Sequence, residues 1–323
     1  MKISYRKQRI AILAVFVFSI MAFCTGCSNE RLDKQLEVRT EGLLLMEQGR
    51  YEEALELFEE TLELALGKIG EVERDICYYQ AEAKYKLGDI QGAIDTYTAL
   101  IHFDDDAKAH YLRGNLYYKL GQETDALADY AAAIEQSPKE YELYIGVYEA
   151  LAAHGKEMEA QEYLNKALEI EGDKAYDQMQ KGRINYLLGE LDTAVSLLET
   201  AAEGEQMLAY YYLAEISYEL GDIGAAKTNL AVYAKSEEAN SFNLFSIANH
   251  YIGKKHYDMA IECLNAALEL EQVPNKQIIL KTLVIAYEYT YDFASAKSVM
   301  AEYIKAYPED EEALREYTFL ETR

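Results

Sequence analysis

An alanine that recurs about every 34 residues is the feature that most constrains how this chain can fold. Four residues after each alanine comes a large apolar or aromatic residue, as in Phe58, Tyr97 and Tyr130. A spacing of four places both residues on one face of a helix, where alanine lets a neighbouring helix approach closely. The pattern predicts eight similar helical units, since the alanines follow one another at intervals of 39, 33, 34, 34, 32, 34 and 36 residues: Ala54, Ala93, Ala126, Ala160, Ala194, Ala226, Ala260 and Ala296.

The clearest unit covers residues 107–140. Its marked positions are a small residue, a tyrosine, a glycine turn, an alanine, an aromatic residue, a second alanine and a proline: Gly114, Tyr117, Gly121, Ala126, Tyr130, Ala133 and Pro138. This arrangement resembles the tetratricopeptide repeat, a helix-turn-helix unit of 34 residues. Among its departures from that pattern, the chain has no Trp, a residue often found early in the first helix, and a terminal proline only at Pro138 and Pro308.

The resemblance implies an all-α fold, a right-handed superhelical solenoid of eight helix-turn-helix repeats over residues 35–310. In residues 311–323 the apolar side chains of Ala313, Leu314, Tyr317 and Leu320 follow helical spacing. We interpret this segment as a capping helix that covers the last repeat, because the end of a solenoid would otherwise expose an apolar face.

Most of the repeats have a glycine at the turn between their two helices. Glycine adopts the left-handed backbone conformation that ends a helix at little cost. Lys255 and Tyr291 take its place in the last two repeats. Six turns carry the glycine: Gly49, Gly88, Gly121, Gly155, Gly189 and Gly221.

The first 26 residues have the pattern of a secretory signal. Four positive charges lie within residues 1–9, and an apolar run, Ile10–Cys24, follows them. This run is shorter than the ~20 residues that span a membrane as a helix. We therefore interpret residues 1–26 as a signal peptide rather than a permanent transmembrane segment, and residues 27–34 as a short tether.

The segment around Cys27 resembles the lipobox of bacterial lipoproteins. Thr25 and Gly26 are the small residues expected before a cysteine that is lipidated on sulfur and becomes the new amino terminus. The resemblance implies lipidation at Cys27 and an anchor on the extracytoplasmic face of a bacterial membrane, or on an outer membrane if the cell has one. Two alternatives stay open: ordinary cleavage near Gly26, which releases a soluble protein, and an uncleaved anchor.

The overall charge excludes some classes of partner. Asp and Glu number 57 against 31 Lys and Arg, which gives a formal net charge of −26. A body this acidic repels phosphate backbones, so we expect no nucleic-acid partner. Its field favours a basic partner instead. Hydrophobic residues make up 50% of the chain, which is too apolar for a disordered protein.

The sequence contains none of the common catalytic, phosphate-binding or metal-binding motifs. The histidines, His102, His110, His154, His250 and His256, do not stand in a zinc-site spacing, and we interpret them as surface or helix-packing residues. The sequence has no phosphate-binding glycine loop and no nucleophile elbow. We therefore predict a protein that is not an enzyme and uses no cofactor or metal. Cys77 and Cys263 lie in repeats that are not neighbours, so no disulfide is expected between them.

The first helices of the repeats are the candidate binding surface. In tetratricopeptide folds these helices line a concave groove, and the resemblance implies that residues ten, six and three before each turn point into it. This predicts a partner-binding groove with an aromatic character, formed by Tyr78, Tyr85, Tyr111, Asn115, Tyr118, Arg183, Tyr186, Tyr211, Tyr218 and Phe245. Tyrosine suits such a surface because it offers a large amphipathic contact area with few rotamers to freeze. The alternative is that these tyrosines only reflect the composition of the repeat.

A subfamily of these repeats grips the terminal carboxylate of a peptide with lysine, asparagine and arginine. The chain does not match that subfamily, because Tyr111 stands where a lysine is required beside Asn115. The leading hypothesis is a scaffold at the cell envelope, anchored to the membrane through the lipid on Cys27, that binds a basic or aromatic segment of another protein. The second hypothesis is a factor that assembles pili or other envelope or secreted proteins.

Overall fold

The computed structural model describes residues 31–65 and 69–323. These residues form two compact units, and each is built only from helices and turns in the described ranges. Unit 1 ends at Gln136, and its helices are α1 (residues 31–47), α2 (Tyr51–Leu64), α3 (Glu71–Lys86), α4 (Ile90–Asp104), α5 (Ala107–Lys119) and α6 (Glu123–Gln136).

Unit 2 runs from Ser137 to Arg323. Its helices are α7 (Tyr141–Ala152), α8 (Glu157–Leu168), α9 (Ala175–Leu187), α10 (Leu191–Glu203), α11 (Leu208–Glu219), α12 (Ile223–Ala234), α13 (Ser241–Gly253), α14 (Tyr257–Leu268), α15 (Lys276–Tyr289), α16 (Phe293–Ala306) and α17 (Glu311–Leu320). Helices that are consecutive in the chain pack in pairs, as α9 does with α10 and α13 with α14. The predicted all-α class of paired helices with a further helix at the end is confirmed.

The recurring alanines form the tightest part of each repeat. All eight have an exposed fraction of 0%, and the large residues four positions later are also buried. In three repeats a glycine on the first helix lies against this large residue. The glycines are Gly42, Gly114 and Gly182. A Cβ atom on Gly182 would come within 2.7 Å of Leu198, so the close approach of α9 and α10 requires the absence of a side chain there.

The turns within the repeats adopt the left-handed conformation that the glycines predict. Gly121 has a φ of 74°, and its N–H donates to the carbonyl of Tyr118 while that of Gln122 donates to Tyr117. This is the Schellman arrangement that satisfies the last carbonyls of a helix. Lys255 and Tyr291 adopt the same conformation, with φ of 64° and 61°, although they have side chains.

Helix α17 packs against the end of the last helix pair. Ala313 and Leu320 are buried in a cluster with Leu280, Met300 and Tyr303 of α15 and α16. Asp310 begins the helix by accepting a hydrogen bond from the N–H of Ala313 at 3.1 Å. The same carboxylate pairs with Lys281 at 2.8 Å, which ties the start of α17 to α15.

Candidate protein-binding faces

The predicted groove residues fall into two groups, one in each unit. In unit 1 a cavity of about 440 Å³ lies between α3 and α5. Three of the predicted groove residues, Tyr78, Tyr85 and Asn115, line it. We call this the unit 1 cavity and define it by its polar and aromatic lining: Asp75, Tyr78, Tyr79, Glu82, Tyr85, Lys86, Tyr97, Lys108, Asn115 and Lys119.

Two lysines of α5 lie on the tyrosine rings of the unit 1 cavity. The Nζ atom of Lys108 is 4.3 Å from the centre of the Tyr78 ring, and that of Lys119 is 4.6 Å from the centre of the Tyr85 ring. Lys119 also donates a hydrogen bond to the Tyr85 hydroxyl. The Tyr78 hydroxyl donates to Asp106 at 2.5 Å. Ring and hydroxyl contacts thus hold both ammonium groups in place at the cavity. Neither lysine occupies a position at which the repeat pattern predicts a groove residue.

The corresponding surface of unit 2 is formed by α7, α9, α11 and α13. Arg183 lies at its centre and donates from Nη1 to both carboxylate oxygens of Glu142, at 2.6 and 2.8 Å. Its guanidinium carbon is 5.6 Å from the centre of the Tyr212 ring. We call this the unit 2 face and define it by Glu142, Glu149, Arg183, Tyr186, Tyr211, Tyr212, Glu215, Tyr218, Glu219, His250 and Lys254.

The tyrosines of the unit 2 face are held by carboxylates. Tyr186 donates to Glu219 at 2.5 Å, and Tyr218 donates to Asp258 at 3.1 Å. The Tyr218 ring also packs against the His256 ring, with the ring centres 4.2 Å apart and the ring planes tilted by 31°. Tyr211 contacts the rings of three other tyrosines, and burial raises the pKa of its hydroxyl group. The hydroxyl groups of these tyrosines are therefore uncharged at neutral pH, and their hydrogen bonds and ring contacts fix the side chains in place.

Glu215 is the most buried charged group of the unit 2 face. Its side chain is only 4% exposed, and it accepts a hydrogen bond from Lys254 at 2.6 Å. His250 lies 3.3 Å from the same carboxylate oxygen. Burial alone would raise the pKa of Glu215, but the hydrogen bonds from His250 and Lys254 and the charge of Lys254 lower it to about 2. This carboxylate therefore stays ionised and links α11 to α13.

Phe245 and Tyr118 are the two predicted groove residues that are buried. Phe245 is 6% exposed and lies in the largest apolar cluster of unit 2, together with Leu244 and Tyr251. Tyr118 is 8% exposed. Tyr111 is half-buried, with its ring centre 6.0 Å from that of Tyr130. The helical spacing on which the predicted groove depends does not indicate how deeply each of these side chains is buried.

The histidine and acidic residues near the third repeat also have structural partners. His110 lies 3.0 Å from Asp129 and 2.9 Å from Asp105, and Arg113 binds Asp129 with two hydrogen bonds of 2.8 Å. This agrees with the interpretation of His110 as a helix-packing residue. Across residues 31–65 and 69–323 no group of three or more His, Cys, Asp or Glu side chains is placed to hold a metal ion.

Comparisons with known proteins identify the repeat. Models described as tetratricopeptide repeat match residues 39–101, 78–141 and 243–273. Residues 39–141 and 243–273 therefore match tetratricopeptide repeats, as the sequence pattern predicted for these segments.

The chain is also similar to individual proteins. It is 23% identical to DnaJ homolog subfamily C member 3 of Gallus gallus over 252 aligned residues. The aligned region covers 76% of this chain and 44% of that protein. The chain thus spans less than half of the length of this curated relative. Among solved structures it is similar to a tetratricopeptide repeat protein from Parabacteroides merdae, with 16% identity, a TM-score of 0.40 and coverage of 79% of this chain and 99% of the other. It is also similar to PilF of Pseudomonas aeruginosa, with 14% identity, a TM-score of 0.36 and coverage of 71% and 98%.

Proposed function

We propose that the chain is a non-enzymatic scaffold that binds a segment of another protein on the unit 2 face. The observation that carries this proposal is the combination of fixed aromatic rings and carboxylates on successive helices. Tyr186, Tyr211 and Tyr218 are already ordered before a partner binds, so binding freezes few additional rotamers. Truncating a tyrosine at the centre of such an interface typically costs ~2 kcal/mol or more of binding free energy.

The charge of the unit 2 face indicates which segment it binds. Four of its residues are carboxylates, and two are permanent cations. Arg183 pairs with Glu142 and Glu149, and Lys254 pairs with Glu215. Because four carboxylates outnumber two cations, negative charge remains on the face, and Glu219 accepts a hydrogen bond from the uncharged Tyr186 hydroxyl. A segment that combines lysine or arginine with aromatic residues complements this surface. Encounter with it should be faster at low salt, because the field of the acidic body is then less screened.

The proposed location is the extracytoplasmic face of a bacterial membrane, through a lipid on Cys27. Support comes from the sequence, since residues 1–30 lie outside the described part of the chain. A diacylglyceryl group on sulfur supplies two acyl chains, which suffice for stable anchoring. Within residues 31–65 and 69–323, none of the helices has the length and apolar character needed to cross a membrane.

Site-specific crosslinking in membranes tests the binding proposal. A photo-crosslinking residue is placed at Tyr186 or Tyr218, and in a control at Glu56, an exposed position on α2. We expect the same partner to be captured at both tyrosine positions but not at Glu56. A Tyr186→Ala/Tyr218→Ala variant should then lose that partner, whereas Lys227→Ala, which only breaks a surface pair with Glu262, should retain it.

A partner captured at Glu56, and retained by the double tyrosine variant, would place the binding surface elsewhere. The assembly of pili or other envelope or secreted proteins stays an alternative hypothesis. The crosslinked partner distinguishes the two: an assembly factor binds its client only until the client is built into its final complex, whereas a scaffold remains bound to it.

A further inference from the structure

The unit 1 cavity has a charge opposite to that of the chain as a whole. Its lining contains three lysines, Lys86, Lys108 and Lys119, against two carboxylates, Asp75 and Glu82. The whole chain has 31 basic residues against 57 acidic ones. The lining therefore has an excess of lysine, although the protein as a whole is acidic.

The carboxylates of the cavity do not neutralise these lysines. Asp75 forms an ion pair of 2.5 Å with Arg39, and Arg39 does not belong to the lining. None of the three lysines forms an ion pair with a carboxylate anywhere in the described residues. Glu82 lies one helical turn from Lys86, and Glu47 of α1 also acts on the charge of Lys86. Lys108 and Lys119 of α5 are therefore the groups through which the cavity attracts negative charge.

The donors of α5 are arranged in a row. Lys108, Asn115 and Lys119 are separated by seven and four residues, a spacing that places them on one face of the helix. Eleven residues of α-helix rise by ~16 Å, which is the length of about five residues of extended chain. Asn115 accepts a hydrogen bond from the Tyr130 hydroxyl at 2.7 Å through its oxygen, which directs its amide N–H₂ to other partners.

The lysines at both ends of the row are ordered by the tyrosines beneath them. Lys108 and Lys119 lie on the rings of Tyr78 and Tyr85, yet both side chains remain exposed to solvent. A cation held over a ring keeps its charge available on the outer side while losing rotamer freedom. Each end of the cavity therefore presents a fixed ammonium group to a ligand.

We propose that the unit 1 cavity binds an extended, acidic segment of a partner protein, with two side-chain carboxylates about five residues apart contacting Lys108 and Lys119. The amide of Asn115 then donates to the backbone of the segment between them. This reverses, for unit 1, the expectation of a basic partner that the overall charge suggests. It is independent of the unit 2 face, whose free groups are carboxylates.

Synthetic peptides measure this preference directly on the full chain. The probe is a fluorescent six-residue peptide with Glu at both ends and Ser and Gly between them, acetylated and amidated so that only side-chain carboxylates are present. Its analogues carry Gln or Lys in place of both Glu residues, or place the two Glu side by side. We expect the Gln analogue to bind roughly tenfold more weakly by fluorescence anisotropy, and the adjacent-Glu and Lys analogues to be weaker than the probe as well.

The lysines are tested by a charge-removing and a charge-preserving variant. Lys108→Gln/Lys119→Gln should reduce the discrimination between Glu and Gln peptides to less than about twofold, whereas Lys108→Arg/Lys119→Arg should keep it. The control, Lys235→Gln/Lys305→Gln, removes two exposed lysines from unit 2 and should bind as the wild type does. Tyr186→Ala/Tyr218→Ala should also leave the acidic probe bound, which separates this inference from the proposed function.

Three results would overturn the inference. One is equal binding of the Glu and Gln peptides by the wild type. Another is discrimination that survives in Lys108→Gln/Lys119→Gln while circular dichroism shows the variant folded. The third is competition by inorganic phosphate or by a single-stranded oligonucleotide at concentrations as low as those of the peptide, which would indicate a site for any anion.

Discussion

The ring of Tyr130 occupies the space that a side chain on Gly114 would need. A Cβ atom on Gly114 would lie 2.8 Å from Cε1 of Tyr130 and 3.1 Å from the carbonyl oxygen of Ala126. The first distance involves the ring of a fully buried side chain and the second involves backbone, so neither neighbour can yield easily. The contact between α5 and α6 therefore depends on this glycine.

Gly114→Ala should destabilise the protein by roughly 1–3 kcal/mol, because overpacking a filled core forces side chains or backbone to shift. Urea unfolding followed by circular dichroism measures the loss. Gly253→Ala is the matched control, since the space around Gly253 is open and alanine is the better helix former. We expect the control to be neutral or slightly stabilising. Equal behaviour of the two variants would contradict the packing argument.

Lys255 adopts a left-handed conformation at a turn where most repeats have glycine. This conformation costs a residue with a side chain roughly 1–2 kcal/mol. Lys255→Gly should therefore stabilise the protein by about 1 kcal/mol, which the midpoint of urea unfolding would show. Gly221→Ala makes the reverse change at an equivalent turn, with φ of 83°, and should destabilise by a similar amount. Changes of the same sign in both variants would be inconsistent with backbone strain as the cause.

The repeats could be predicted from the sequence because each is specified by local spacing. Ala126 and Tyr130 are four residues apart, so their common face follows from helix geometry alone. The contacts that form the unit 1 cavity and the unit 2 face, in contrast, join residues that are far apart in the sequence. Lys119 meets Tyr85, and Lys254 meets Glu215, across 34 and 39 residues of chain. Helical spacing predicts which helix carries such a residue, but not which side chain on the next repeat it reaches, because this depends on rotamers and on the exact packing of neighbouring helices.

Glu215→Gln should destabilise unit 2 by roughly 2–3 kcal/mol at pH 7, because a buried carboxylate that accepts a hydrogen bond from the ammonium group of Lys254 is lost. The pKa of Glu215 is about 2 in the folded protein against 4.5 for an ordinary Glu. A lowered pKa means that the carboxylate stabilises the fold above pH ~4.5 and that this contribution is lost as the pH falls toward 2. The difference in unfolding free energy between variant and wild type should therefore shrink across that range.

Glu262→Gln serves as the control for the pH series. Glu262 forms an exposed pair with Lys227 at 2.7 Å, and its removal should change the unfolding free energy by less than ~1 kcal/mol. A difference between Glu215→Gln and the wild type that stays constant from pH 7 to pH 3 would show that the charge of Glu215 is not what stabilises the fold.

Deleting Glu311–Arg323 should destabilise mainly the carboxyl-terminal repeat. Without α17, Leu280 and Met300 lose the cover of Ala313 and Leu320. Since repeats contact mainly their neighbours, hydrogen exchange should become faster in α15 and α16 and change little in α7 and α8. Leu320→Ala is a milder version of the same change, and Arg315→Ala, at an exposed position, is its control. Uniform loss of protection throughout the chain would contradict an array stabilised by neighbouring repeats.

The lipid anchor predicted at Cys27 is tested by Cys27→Ala. The sulfur of this residue is the predicted attachment point, so the variant should carry no diacylglyceryl group and should either keep its first 26 residues or be released in soluble form. Metabolic labelling with a tagged fatty acid, together with the mass of the purified protein, measures both outcomes. Cys24→Ala is the matched control, because it removes a neighbouring thiol and leaves Thr25, Gly26 and Cys27 in place. We expect it to be labelled as the wild type is. Labelling of Cys27→Ala at an unchanged processed mass would mean that the lipid is attached elsewhere.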